Sequence, residues 1–139
     1  MKKTAIILSL MLWGGVSCAP SAEKKAEALQ TEVMAQHDSA MAKMGALFNS
    51  RKGLALLKDS LPDSDSLAQQ ALTKGISDLA LADERMMQWM RAYRAPNVAA
   101  PDSALPYLTK EKVKIEIVRQ NIEQSLEEAK KLFTQYAAK

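Results

Sequence analysis

One cysteine, Cys18, and one histidine, His37, are all that this chain of 139 residues holds of the two side chains most used in metal and nucleophilic chemistry. A single cysteine closes no internal disulfide. A lone histidine provides no paired zinc-ligand spacing, and beyond residue 18 it has no cysteine to pair with. The sequence also lacks a Gly-rich phosphate loop and a G-x-S-x-G turn. Serines are frequent, but they sit in stretches such as DSLPDSDS (Asp59 to Ser66), where short polar side chains bond to nearby backbone. These absences argue against an enzyme and call for no cofactor. Charge of one sign is missing as well. Nineteen Lys and Arg face sixteen Asp and Glu, with no basic stripe, so the electrostatic footprint of a nucleic-acid binder is absent. No apolar run is long enough to span a bilayer; Ala5 to Trp13, broken only by Ser9, is too short.

That short run has a meaning of its own. Lys2 and Lys3 precede it, small residues follow, and the position is that of a secretory signal. The tail Gly15-Val16-Ser17-Cys18 resembles the lipobox of bacterial lipoproteins, departing from it in having Gly15 where an aliphatic residue is usual. The resemblance implies a signal peptide over 1–17, diacylglycerol on the Cys18 sulfur, cleavage before Cys18 and acylation of the new terminus. Lipidation also removes a thiol that an oxidising compartment would threaten. Two or three acyl chains anchor durably, whereas one alone is marginal. Ala19 is not aspartate, the residue that retains some Gram-negative lipoproteins at the inner membrane. The expected location is therefore the outer membrane. Lys2 and Lys3 leave with the signal, so seventeen basic residues then face sixteen acidic ones.

The remaining 122 residues suffice for one small domain. Residues 18–21 read as an acylated tether. The rest, 22–138, reads as an all-α, elongated antiparallel three-helix bundle, a helical hairpin plus a third helix. The first helix is expected over about Ala22 to Lys58. Leu29, Val33, Ala40, Met44, Leu47 and Leu54 form its apolar stripe, and Gly45 and Gly53 invite a bend. Pro62 breaks the pattern, and the Asp and Ser residues after it offer caps. The second helix is expected over about Asp65 to Tyr93, with a heptad-like stripe of Leu72, Ile76, Leu79, Met86, Met90 and Tyr93. Ala95 to Pro106, with three prolines, reads as a long connection holding at most one short helical turn. Thr109 is then the expected N-cap of a third helix ending near Tyr136. Its inner face is Ile115, Val118, Ile122, Ala129, Leu132 and Tyr136. Val113 to Val118 alternates like a strand, but its surroundings and length favour helix.

The stretch HDSAMAKM (His37 to Met44) invites three readings. About Pro62 as the turn, the hairpin brings His37 level with Met87, Met34 with Met90 and Met41 with Asp83. All six methionines beyond the signal region (34, 41, 44, 86, 87 and 90) then fall in one band with His37 and Trp89. Methionine at helical spacing is first of all core filling. A second reading pairs His37 with Asp83 as an ion pair that fixes helix register. A third is a soft-metal site for Cu(I) or Ag(I), with His37, Met34, Met41, Met44, Met86 and Met90 as candidate ligands, since thioethers select such ions.

Three stretches carry a wider resemblance: EVMAQHDSAMAKMGAL (Glu32 to Leu47), ADERMMQWMRAY (Ala82 to Tyr93) and YLTKEKVKIEIV (Tyr107 to Val118). After a lipobox, they resemble a group of small helical Bacteroidota lipoproteins often labelled "viral A-type inclusion protein". What the resemblance implies is a helical cell-envelope lipoprotein; it assigns no role to His37, Asp83 or Trp89. The functional expectation is a lipid-anchored envelope protein that binds another protein or its own copy. A periplasmic soft-metal binder is the alternative.

Overall fold

The computed structural model describes residues 19–137. The expected signal peptide over 1–17 and the lipidation residue Cys18 lie outside the described residues, as does the final part of the chain. All regular structure within them is helical. The helices are α1 (Ala22–Met41), α2 (Met44–Ser60), α3 (Ser66–Ala92) and α4 (Pro101–Tyr136). α1 and α2 are two segments of one bent helix, so the architecture is a three-helix bundle, as the periodicity predicts.

The helix ends follow from local chemistry. The Ser21 hydroxyl accepts from the Lys24 N–H at 3.3 Å and starts α1. The Asp65 carboxylate accepts from the Ala68 N–H at 3.1 Å and starts α3, directly after the Pro62 break. Between α1 and α2 the ladder tightens: the Lys43 N–H donates to Ala40 O at 3.0 Å, an i→i−3 bond. The bend therefore falls at Ala42 and Lys43, just ahead of Gly45, and neither proline nor glycine makes it. It accompanies an interhelical contact, since Lys43 Nζ reaches Glu123 Oε1 on α4 at 2.7 Å.

The last helix starts earlier than the sequence reading has it. Pro101 occupies the first turn, where its missing N–H costs nothing. Pro106 lies inside the helix and deletes one bond, to the carbonyl of the exposed Asp102, which water can satisfy. Thr109 is consequently not a cap. Its hydroxyl donates back to Leu105 O at 2.8 Å, within the helix.

The core is a set of heptad seams. α3 buries Ala68, Leu72, Gly75, Leu79, Ala82, Met86 and Trp89, alternating steps of four and three. α4 continues the same rhythm through Ala104, Leu108, Glu111, Ile115, Val118 and Ile122, then Ala129, Leu132 and Tyr136. The bent helix contributes Ala26, Val33, Ala40, Leu47 and Leu54, one per seven residues, straight through the bend. A period of 3.5 is the signature of left-handed, coiled-coil-like packing. Every stripe residue expected from the sequence is buried or packs against this core.

α4 runs parallel to α1 and α2 in a fixed register. Lys112 pairs with Glu32, Lys43 with Glu123, and the Phe133 ring faces Gly53, each pair eighty residues apart. α1 packs mainly against α4 and makes few approaches to α3.

Candidate functional site

Three places combine polar chemistry with shape. The first is an aromatic ladder at the end of the bundle nearest residue 19. The His37 ring lies 5.7 Å from Trp89, Trp89 stacks on Tyr93 at 4.8 Å, and Tyr93 faces Tyr107 at 6.2 Å. Trp89 takes a seam position of α3, and its size fills the space between α3 and the more distant α1. The Tyr107 hydroxyl accepts from the Arg94 N–H at 2.9 Å, which closes the end of α3. Burial pushes the Tyr93 phenol above its ordinary pKa; the neighbouring Tyr107 and Glu111 add to this, and the Gln30 amide beside it acts in the opposite sense. Glu111 is buried in the α4 seam, but its Oε1 accepts from Lys114 Nζ at 2.7 Å, and that ammonium stands in solvent.

The ladder answers the question posed by His37. The carboxylate that meets its Nδ1 is Asp38, at 2.9 Å, the next residue in the chain. Asp83 lies elsewhere, in a notch with Met44. The level of His37 is set by Trp89, and the level of Asp83 by Met44. Seven residues, about 10 Å of helix, separate His37 from Met44. A His37–Asp83 ion pair therefore gives way to a local His37–Asp38 pair. A three-quarters exposed carboxylate on the same helix cannot fix the register of two helices.

The methionines divide by environment. Met86 is fully buried, Met34, Met44 and Met90 are half-buried, and Met41 and Met87 are exposed. Met44, Met86 and Met90 join the apolar core. Among the described residues no group of three or more His, Cys, Asp or Glu side chains could hold a metal ion. A ligand set divided between sealed core and open surface weighs against the soft-metal reading.

The second place is that α2–α3 notch, of about 100 Å³, lined by Met44, Leu47, Phe48, Arg51, Leu79 and Asp83. Its floor is core leucine. Its rim is Phe48, 59% exposed, with a cation and an anion on either side. The volume fits one apolar side chain and falls short of the few hundred Å³ typical of a metabolite pocket. Apolar periodicity alone does not find it, because Phe48 lies off the stripe. The signal was an aromatic residue at a position the helix pattern leaves to solvent.

The third place is a groove of about 420 Å³ between α3 and α4, lined by Lys74, Asp78, Arg85, Asn121, Gln124, Ser125 and Glu128 among others. Its charges are partly self-satisfied: Lys74 pairs with Asp78, which raises the lysine pKa. Ser125 Oγ donates to Asp78 O at 3.4 Å. No helix among the described residues is long and apolar enough to cross a membrane. Compared with known protein families, with curated proteins and with solved structures, the chain finds no match.

Proposed function

We propose that this protein is a lipid-anchored lipoprotein of the cell envelope, held in the outer membrane through Cys18. In this reading the helical bundle is a non-enzymatic module that binds another protein or a second copy of itself. The observation that carries the binding role is the α2–α3 notch. It joins an exposed Phe48, a methionine and an arginine over an apolar floor, and these are the residue types enriched at protein interfaces. Its size suits an inserted side chain of a partner. The anchoring role rests on the basic, apolar and small-residue order of residues 2–18. Neutral balance and mixed charge support a protein partner over a nucleic acid.

Two measurements test the reading. Membrane fractionation with mass analysis of the mature terminus should find acyl chains on Cys18, and Cys18→Ala should release the protein from membranes. A photocrosslinking residue at position 48 should give one defined adduct in intact cells, diminished by Arg51→Glu. A wild-type protein that is soluble and begins at another residue removes the anchoring role. Crosslinking that is diffuse, or indifferent to Arg51→Glu, removes the binding role.

A further inference from the structure

The two ends of the bundle are unlike in chemistry. At one end lies the α3–α4 connection. From Ala95 to Pro101 it carries no charge, and Ala95, Ala99 and Ala100 are exposed. At the other end lies the α2–α3 turn, where Asp59, Asp63 and Asp65 outnumber Lys58 and leave it acidic. The fixed register of α4 against the bent helix puts residue 19 level with residue 99, at the end that carries the uncharged loop.

We propose that the Ala95–Pro101 loop is the face that rests on the lipid surface, with the bundle standing end-on and its acidic turn pointing away. This rests on the reading of Cys18 as the lipid-bearing residue. The occupant follows from where the chain is tied. Ser21 already caps α1, so the tether is Ala19 to Ser21. Three extended residues reach about 10 Å. The α3 helix, at 27 residues, holds the acidic turn about 40 Å away.

The loop closes part of its backbone on itself. The Ala99 N–H donates to Asn97 Oδ1 at 3.1 Å, and the Ala100 N–H donates to Asn97 O at 3.0 Å. Ser103 Oγ donates to Ala100 O at 3.0 Å. Arg94 is exposed but folds back on its own helix end: its N–H donates to Tyr107, and its Nη1 donates to Arg91 O at 2.8 Å and Tyr93 O at 2.7 Å. The groups bonded in this way need not be stripped of water at a membrane, which lowers the desolvation cost of approach. The alanine methyls remain as the outward layer. Around the loop, Lys24, Lys25, Arg91 and Arg94 stand against Glu23, Glu27 and Asp102. That near balance makes the contact indifferent to lipid charge.

The test uses the single natural cysteine. When Cys18 bears lipid, a second cysteine is the only labelable thiol in the chain. Ala99→Cys and Ser64→Cys variants of the full chain are purified from membranes, and acylation is read by mass. Each is labelled with an environment-sensitive fluorophore and placed in phosphatidylcholine vesicles carrying headgroup-level quenching lipids. We expect the label at 99 to be quenched at least threefold more than the label at 64. The ratio should hold within twofold when a third of the lipid is phosphatidylglycerol. Equal quenching means that the bundle lies flat and overturns the inference alone. A ratio that rises strongly with anionic lipid also overturns it, because basic side chains would then be making the contact. Absence of acyl groups on Cys18 overturns this inference together with the anchoring role beneath it.

Discussion

Alanine substitution at Gly45, Gly53 and Gly75 separates backbone preference from space. None of the described glycines has positive φ, so no left-handed conformation demands glycine at any of them. Each replacement therefore gains about 0.5–1 kcal/mol from helix preference and a less free unfolded chain. What differs is the room for one methyl group. At Gly45 a Cβ meets nothing within 4 Å, so the gain stands whole and stability rises. At Gly53 the new carbon would lie 2.6 Å from Phe133 Cζ. That ring is half-buried and can swing outward, so the two effects nearly cancel, within about 1 kcal/mol of neutral. Gly75 sits in the seam where α2, α3 and α4 meet. Its Cβ would collide with Leu132 Cδ1 and stand 3.1 Å from Leu54 Cδ1. Leu54 is fully buried and has nowhere to go. Overpacking a filled core costs about 1–3 kcal/mol, so Gly75→Ala should lose about 1–2 kcal/mol net. Urea unfolding followed by helical circular dichroism measures all three. The rank order Gly45→Ala above wild type, Gly53→Ala near it and Gly75→Ala below it is the expected result. A Gly75→Ala protein as stable as Gly45→Ala would refute the tight three-helix seam.

Glu123 bonds Lys43 at 2.7 Å and Arg119 at 2.7 Å, and its pKa is lowered by the Lys43 hydrogen bond first and then by Arg119. A lowered folded pKa gives stability that is full above the unfolded value and lost as pH falls through the folded one. Glu123→Gln should therefore flatten the loss of stability below about pH 4.3, read by thermal melts across that window; an unchanged acid slope counts against the cluster. Tyr93, raised chiefly by burial, works the other way: its contribution is full below about pH 10 and is lost as pH rises through the folded value. In ultraviolet titration, Tyr93→Phe should remove a phenol that ionises above about pH 10; removal of one that ionises at or below that value contradicts the buried ladder. Pro106→Ala restores one helix bond at an exposed site and should raise stability by about 1–2 kcal/mol, measured by urea midpoint; a loss would mean that the proline ring packs.

The seams were legible because burial repeats. Val33, Leu72, Met86, Ile115 and Ile122 are all apolar at regular spacing, and all are fully buried. The start of α3 was legible too, since a break at Pro62 followed by capping residues leaves few alternatives. The start of α4 was not. Prolines at 96, 101 and 106 read as a loop, and only position within the helix distinguishes a tolerated proline from a breaking one. The bend at Ala42 and Lys43 left no local mark. It comes with a tertiary contact, Lys43 to Glu123, whose partners lie eighty residues apart. At the candidate sites, layer arithmetic brought His37 close to the level of Trp89. It placed Asp83 about a turn too near, because an error in the turn centre counts twice across a hairpin. Glu111 in the α4 seam was not visible, since its burial is set by register with neighbouring helices, and Phe48 is marked only by being an aromatic residue off the apolar stripe.

The pairing of α1 with α4 also governs the order of assembly. Synthesis delivers α1 first, yet its main neighbour arrives eighty residues later. α2 and α3 are joined by a short turn and can close on each other early, because local contacts form before distant ones. Until the first half of α4 is made, Ala26 and Val33 have no seam to enter. A chain cut just ahead of α4 should therefore keep its hairpin and leave its first helix unpacked. The helix made first waits for the last one to begin.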